Sequence, residues 1–203
     1  MSTQRDLQGK VQGTVQAVVI GASAGGVDAL FQLFGGLPAD FGLPMVAVLH
    51  LPENHESQLV DLFARRLAIP VKEARDKAPV EAGTLYFAAA GYHLSIEQER
   101  TFALSREAPR NFSRPSIDIL FDSASDAYRE ALVGILLTGA NQDGAEGLAR
   151  IQRQGGLSIV QDPAEAAVST MPEAAIALHA PDHILRLREI HALLTRMGTQ
   201  HVA

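Results

Sequence analysis

Apolar strand-like runs alternate with amphipathic helix-like stretches along most of this sequence. Residues 15–20 and Met45–Leu49 are short apolar runs, and each is followed by apolar side chains at helical spacing, as at Val27, Leu30, Phe31 and Phe34. Fully apolar strands joined by helices are typical of a parallel sheet that is buried on both faces. The alternation therefore predicts an α/β fold with right-handed crossover connections.

The rest of the chain continues this pattern with one interruption. Apolar runs at residues 131–137 and 157–160 predict two more buried strands. Helical spacing predicts further helices over residues 59–67, 117–128, 145–151 and 187–197. Between residues 71 and 105, turn residues separate short strand-like runs, which predicts a small, partly antiparallel portion. Its strands are expected at residues 71–73, 84–87, 93–96 and 101–104.

Length and composition favour one globular domain. The chain has 203 residues, of which 47% are hydrophobic, so it can bury a substantial core. Residues 1–13 are polar and predict a flexible tail or linker stub ahead of a domain over residues 14–203. The N-terminus lacks the apolar core of a signal peptide, and the longest apolar run is too short to span a bilayer. We therefore expect a cytoplasmic protein that does not insert into membranes.

Charge and cysteine content exclude several classes of function. The chain carries 17 Lys and Arg against 23 Asp and Glu, a net charge of −6, with no basic cluster interleaved with aromatic residues. We therefore expect no nucleic-acid partner. Because the sequence has no cysteine, it has no disulfide framework and no thiolate metal site. The histidines show no metal-ligand spacing, so no metal site is expected.

The residues that follow each predicted strand are the candidates for chemistry, because ligands bind at the carboxyl ends of the strands in an open parallel sheet. Ser23 follows the first strand, His50 follows the second, and Asp143 lies in the loop after residues 131–137. An imidazole can activate a serine hydroxyl, and a buried carboxylate can orient the imidazole. The three residues are therefore a candidate catalytic serine, histidine and aspartate.

The loop around the serine has a recognisable form. Residues 21–25, Gly-Ala-Ser-Ala-Gly, fit the G-x-S-x-G turn that exposes a nucleophile between a strand and a helix. The N–H of Ala24, at the start of the following helix, is the first candidate oxyanion donor. Glycine-rich turns of this kind are also common phosphate cradles, so nucleotide binding stays open as an alternative. The chain order Ser, His, Asp disfavours an α/β-hydrolase, whose order is Ser, Asp or Glu, His.

Several ordered blocks of the sequence resemble the catalytic domain of CheB-type chemotaxis receptor methylesterases, which are protein-glutamate methylesterases. The resemblance extends in register from about Val15 to about Ile184. Besides the strand that ends at His50, the blocks are GASAGG (21–26), RPSIDILFDSAS (114–125), TGANQDGAEG (138–147), GGLSIVQDP (155–163) and MPEAA (171–175).

This resemblance implies a Rossmann-like, doubly wound, mostly parallel sheet and a methylesterase catalytic domain over residues 14–203. It implies hydrolysis of glutamate γ-methyl esters on the cytoplasmic part of a methyl-accepting chemoreceptor, with glutamine deamidation as a related activity. Ser23 would be the nucleophile, His50 the base and Asp143 the orienting acid, without a metal or organic cofactor. The oxyanion and substrate loops would contain Ala24, Gly25 and Ala140.

The sequence departs from the family pattern at several positions. Ala24, Ala140 and Ser113 stand where the family often has Thr, Met and His, which leaves pocket shape and substrate preference open. The family usually has an N-terminal receiver domain, whereas only a polar stub precedes the domain here. The resemblance therefore implies either a trimmed chain or a separate regulatory receiver protein as a partner.

Other interpretations of the same residues remain open. Arg114, Ser116 and Asp118 are expected to start and cap a helix rather than to perform chemistry. Asp143 could cap a helix that begins near Gly144, which is compatible with a catalytic role. A nucleotide-binding Rossmann-like enzyme is disfavoured, because G-x-G-x-x-G is absent and the second strand is not followed by an acidic residue. A catalytically silent binding module with the same fold is the second alternative.

Overall fold

The chain forms strands and helices in alternation, as a computed structural model shows for residues 15–50 and 58–199. The strands within these residues are β1 (Ala17–Ala22), β2 (Met45–Leu49), β3 (Val71–Glu73), β4 (Leu85–Phe87), β5 (His93–Ile96), β6 (Phe102–Ser105), β7 (Leu132–Leu136), β8 (Leu157–Gln161) and β9 (His183–Leu185). The α-helices are α1 (Gly26–Phe34), α2 (Leu59–Ala64), α3 (Ile117–Tyr128), α4 (Ala145–Arg153), α5 (Thr170–Leu178) and α6 (Leu187–Thr199).

The central sheet is parallel, and its strand order reverses direction at its middle strand. The order is β3-β4-β2-β1-β7-β8-β9, while β5 and β6 form a separate antiparallel pair. From β1 the chain first builds one side of the sheet with β2 to β4, and it later adds β7, β8 and β9 on the other side. The carboxyl ends of β1 and β7 therefore flank a topological switch point, which is where open α/β sheets bind ligands.

Two apolar layers cover the two faces of the sheet. Side chains alternate along β1, so Val18 and Ile20 pack in the layer that contains α1 and α6, while Ala17 and Val19 pack in the layer that contains α3 and α4. Every residue of β1, β2, β4, β7 and β8 is buried. Burial on both faces explains why these strands are continuous apolar runs in the sequence.

The predicted α/β class is confirmed, with a mostly parallel sheet and a small antiparallel portion. One part of the prediction is wrong. Residues 71–73 and 84–87 were grouped with residues 93–104 in one small, partly antiparallel portion, but β3 and β4 pair in parallel within the main sheet. These strands were placed there because they are short and separated by turn residues, whereas burial of all three β4 residues is typical of an interior parallel strand.

Two elements were not predicted from the sequence. Helix α5 has only three buried residues and β9 has none, so neither has a strong apolar period. The predicted tail at residues 1–13 lies outside the described residues. Among the residues that the structure describes, no helix is both long enough and apolar enough to cross a membrane.

Candidate active site

The parallel pairing of β1 with β2 brings the predicted serine and histidine next to each other through their backbones. Ser23 comes directly after β1, and His50 comes directly after β2. The N–H of His50 donates to the carbonyl of Ala22 at 3.1 Å, which continues the pairing of the two strands to the point where the polar residues begin. The loop after β7 then carries Asp143 to the same edge of the sheet.

His50 and Asp143 are in direct contact. The Nε2 atom of His50 lies 2.9 Å from Oδ2 of Asp143, and the aspartate side chain is completely buried. The imidazole is 11% exposed, so one edge of the ring remains open to solvent. The structure therefore pairs two of the three predicted catalytic side chains, although they are 93 residues apart in the chain.

The third predicted side chain, that of Ser23, is half-buried, and its hydroxyl forms no hydrogen bond to another described residue. The free ring nitrogen of His50, Nδ1, lies 3.4 Å from the hydroxyl of Ser113 instead. Hydrogen bonds to a catalytic nucleophile are often long or unformed until substrate binds. Ser113 therefore contacts the second ring nitrogen of His50, while Ser23 directly follows the strand end to which the His50 backbone is bonded.

Asp143 is fixed by hydrogen bonds from the first turn of α3. Its carboxylate accepts the backbone N–H of Ile117 at 2.7 Å and that of Asp118 at 3.2 Å, and it also accepts the Ser116 hydroxyl at 2.8 Å. The expectation that Asp143 caps the helix near Gly144 is wrong, because its carboxylate caps α3, a helix from an earlier part of the chain. Ser116 starts that helix as expected, but its hydroxyl donates to Asp143 rather than capping the helix itself.

These contacts keep Asp143 ionised. Burial by itself would raise the pKa of the Asp143 carboxyl, but hydrogen bonds from His50, from the Ile117 N–H and from Asn111 and Ser116 outweigh it. The pKa of Asp143 is therefore lowered from its ordinary value. An ionised carboxylate at this position can orient the imidazole and stabilise the imidazolium that forms when the ring accepts a proton.

Helix α3 comes close enough to bond Asp143 because glycines leave room for its first residue. A Cβ atom placed on Gly21 would lie 2.3 Å from the Ile117 side chain, and one placed on Gly144 would lie 2.6 Å from it. Gly144 also has a φ of 92°, a left-handed conformation that side chains rarely adopt. The small residues around the serine and aspartate loops therefore serve the packing of α3 against the site.

A second buried carboxylate, that of Asp118, lies beside the first. Oδ1 of Asp118 accepts the N–H of Gly147 at 2.8 Å, and Oδ2 accepts Nδ2 of Asn111 at 2.8 Å. The same Asn111 nitrogen also donates to Asp143 at 3.2 Å. One side-chain amide thus bridges two buried carboxylates, with one hydrogen available for each.

The environment of Asp118 differs from that of Asp143 in its electrostatics. Burial raises the pKa of Asp118 to about 6, the Gly147 N–H opposes this, and the neighbouring Asp143 charge raises it further. Arg110 lies 3.9 Å from Asp118 and lowers the pKa, but it is shared with Asp122 and Glu146. Two adjacent carboxyls therefore have pKa values moved in opposite directions.

Three residues in the serine loop and the loop after β7 have backbone N–H groups without a hydrogen-bond partner among the described residues. Ala24, Gly25 and Ala140 are exposed, and their N–H groups donate no hydrogen bond within residues 15–50 and 58–199. Gly25 has a φ of 77° and immediately precedes α1, so the serine turn leads directly into the first turn of a helix, where N–H groups lack intrahelical acceptors. Free N–H groups at the start of a helix can stabilise an anion that forms on a substrate carbonyl oxygen.

Buried residues beneath this loop support it. Ser23 donates its N–H to the Thr138 carbonyl at 2.9 Å, and the Thr138 hydroxyl donates to the Ala24 carbonyl at 2.8 Å. Gly139 fits between Met171 and Ser23, since a Cβ atom there would lie 2.5 Å from Met171 and 3.0 Å from the Ser23 Cβ. The serine loop and the loop after β7 therefore form one unit.

Sequence reasoning missed the turn that contacts both the histidine and the aspartate. Asn111 bonds the two carboxylates, and Ser113 approaches the free nitrogen of His50. Asn111, two residues before the Ser-Arg-Pro segment, is a turn signal, so the sequence could predict that a turn forms here. The direction of its side chains was not, because that direction depends on the position of α3. No group of three His, Asp or Glu side chains that could hold a metal ion occurs among the described residues.

Comparisons with known proteins show which family this chain resembles. The family model described as CheB methylesterase matches residues 18–194. A protein of Leptospira interrogans is 42% identical over 187 residues, covering 92% of this chain and 97% of the relative. A Pseudomonas aeruginosa protein named protein-glutamate methylesterase/protein-glutamine glutaminase 3 is 40% identical over 92% of this chain, which spans only 58% of that relative.

A solved structure has the same fold. The CheB methylesterase catalytic domain of Thermotoga maritima superimposes with a TM-score of 0.85 and 30% sequence identity. The match covers 90% of this chain and 98% of the Thermotoga chain.

Proposed function

This chain belongs to the CheB methylesterase family, and on that premise we propose that it hydrolyses glutamate γ-methyl esters in a protein, releasing methanol. Relatives are named for this activity and for protein-glutamine glutaminase activity, so deamidation of glutamine is the related second reaction. The substrate is the cytoplasmic part of a methyl-accepting chemoreceptor, and removal of its methyl groups contributes to chemotaxis adaptation. The protein acts in the cytoplasm, with a receiver protein as its regulatory partner.

Ser23 is the nucleophile of this reaction. Its hydroxyl oxygen attacks the γ-carbonyl carbon of the ester, while the free ring nitrogen of His50 takes the hydroxyl proton. This step requires the Ser23 hydroxyl to reach Nδ1 of His50, which contacts the Ser113 hydroxyl at 3.4 Å in the structure. Ser23 is favoured over Ser113 because it lies in the G-x-S-x-G turn after β1, next to the N–H groups of Ala24 and Gly25, which donate no hydrogen bond within the described residues.

The backbone N–H groups of Ala24, Gly25 and Ala140 stabilise the tetrahedral intermediate. As the carbonyl carbon becomes tetrahedral, negative charge develops on its oxygen, and preorganised donors lower the energy of that state. The collapse of the intermediate breaks the bond to the methoxy oxygen, which takes the proton from His50 and leaves as methanol. The product of this half-reaction is an ester between Ser23 and the glutamyl side chain.

Water completes the cycle. His50 removes a proton from a water molecule as its oxygen attacks the acyl-enzyme carbonyl, and it then returns that proton to the Ser23 oxygen. The products are a free glutamate carboxylate and the original enzyme. Asp143, held ionised by the first turn of α3, orients His50 through both steps and stabilises its protonated form.

One observation supports this proposal most strongly. The imidazole of His50 bonds a fully buried carboxylate that is itself anchored to α3, and its backbone is paired to the strand that ends just before Ser23. A histidine that only ended a strand would not require a buried, ionised carboxylate as its hydrogen-bond partner. The arrangement supports acyl transfer from a serine better than it supports binding of a nucleotide.

The deciding experiment measures methanol released from a methyl-labelled chemoreceptor cytoplasmic domain. We expect wild-type protein to release methanol and Ser23→Ala to lose this activity while its thermal stability is nearly unchanged, since removing a half-buried hydroxyl disturbs little packing. Ser113→Ala is the matched comparison and should keep the greater part of the activity. Loss of activity in Ser113→Ala with retention in Ser23→Ala would refute the assignment, and an inactive wild-type protein would favour a silent binding module.

A further inference from the structure

A single aromatic side chain projects from the rim of the site without any packing partner. Phe112 is 104% exposed, whereas the other exposed large hydrophobic residues that the structure describes, Leu62, Leu178 and Ile184, are between 37% and 55% exposed. Isolated exposed hydrophobic residues are common on protein surfaces. The backbone of Phe112 makes this one unusual.

Phe112 occupies a backbone conformation that its side chain disfavours. Arg110 and Ser113 exchange two backbone hydrogen bonds, of 3.2 and 2.9 Å, which closes a two-residue turn. The central residues Asn111 and Phe112 have φ values of 51° and 60°. Asparagine tolerates a positive φ, but the second central position of such a turn strongly favours glycine. The sequence therefore places a large apolar residue at a position where its exposure to solvent and its positive φ are both energetically unfavourable.

The other three residues of the turn are all tied to the catalytic centre or to the helices beside it. Asn111 bonds Asp118 and Asp143, and Ser113 contacts His50. Arg110 forms ion pairs with side chains of α3 and α4 at 2.8 and 3.1 Å. The turn is thus fixed to the active site, and its one unattached side chain lies on the outer surface.

From this arrangement we infer that Phe112 is a docking residue, which contacts an apolar position on the protein segment that carries the esterified glutamate. The inference rests on the proposed function. A methyl ester on one side chain offers little surface for recognition. The predicted oxyanion and substrate loops contribute only small, exposed residues, namely Ala24, Gly25 and Ala140. Affinity for a protein substrate must then come from contacts on the surface around the catalytic residues, and aromatic side chains commonly contribute much of the binding energy of such contacts.

The test separates docking from catalysis by measuring binding in a protein that cannot turn over. Ser23→Ala protein is titrated with the methylated chemoreceptor cytoplasmic domain, with and without Phe112→Ala or Phe112→Gly. We expect both substitutions to weaken binding about tenfold, and Phe112→Tyr to restore it because the ring is kept. Phe112→Gly should also raise the melting temperature above that of Phe112→Ala, since glycine relieves the positive φ.

The controls make the outcome decisive. Ile184→Ala, which removes an exposed apolar side chain on β9, should leave binding unchanged. With Ser23 intact, Phe112→Ala should raise KM for the receptor but leave kcat/KM for a small soluble glutamate γ-methyl ester unchanged. The docking role would be overturned if Phe112→Ala bound the receptor as tightly as the protein with Phe112. It would also be overturned if Phe112→Ala lowered kcat/KM equally for the receptor and for the small ester. Absence of hydrolysis by wild-type protein on both substrates would instead contradict the proposed function.

Discussion

At the scale of single residues, the pair of buried carboxyls shows how environment assigns different behaviour to the same chemical group. Asp143 receives hydrogen bonds from His50 and from the start of α3, and its pKa is lowered. Asp118 is also buried, but it accepts hydrogen bonds from Asn111 and the Gly147 N–H with Arg110 3.9 Å away, and burial raises its pKa to about 6. The sequence indicated Asp118 as a helix-start residue, and it could not indicate burial beside a second carboxylate.

The raised pKa of Asp118 predicts a pH-dependent stability. The folded protein binds a proton at Asp118 between about pH 4 and about pH 6 that the unfolded chain does not bind, so the contribution of this group to stability falls as pH rises through that window. Asp118→Asn cannot titrate there. We expect the free energy of unfolding of Asp118→Asn, relative to wild type, to rise by about 1–3 kcal/mol between about pH 4.5 and about pH 7.5.

Chemical denaturation at several pH values measures this difference. Asp122→Asn is the control, because it removes a carboxylate that pairs with the same Arg110 at a more exposed position of α3. A difference between Asp118→Asn and wild type that stays constant with pH would contradict the assignment of a raised pKa to Asp118.

At the scale of elements, α3 connects the packing of the fold to the chemistry of the site. Its first turn donates two backbone N–H groups to Asp143, and it reaches that position because Gly21 and Gly144 leave space for Ile117. The sequence predicted the bounds of α3 well, since its apolar period is strong. It could not predict the partner of the helix start, because a cap from a distant loop leaves no local signal.

The capping role predicts that Asp143 affects stability as well as catalysis. Asp143→Asn removes the charged acceptor of two N–H groups at the start of α3 and places an amide among hydrogen-bond donors. We expect the free energy of unfolding to fall by about 1–2 kcal/mol, and kcat to fall by about four orders of magnitude. Ser23→Ala, which leaves the carboxylate at the start of α3 in place, is the control, and thermal or chemical denaturation measures the stability of both variants. Wild-type stability in Asp143→Asn would show that the carboxylate does not stabilise the helix.

At the scale of the whole molecule, the parallel sheet converts three distant sequence segments into one site. The rule that ligands bind at the carboxyl ends of strands made Ser23, His50 and Asp143 candidates, because each follows a recognisable apolar strand, and the family resemblance implied their roles. Pairing of His50 with Asp143 is observed. The turn from Arg110 to Ser113 was not selected, because it follows an antiparallel pair whose position relative to the sheet depends on tertiary packing.

The central claim is that Ser23 and His50 act as one unit, and the kinetics of combined substitutions test it most directly. The turnover of methylated receptor is measured for Ser23→Ala, His50→Ala and the double variant. If the two residues form one catalytic unit, each single substitution should cost about six orders of magnitude in kcat, and the double variant should lose no more than either alone. Losses that multiply in the double variant, or full activity in His50→Ala, would contradict this account.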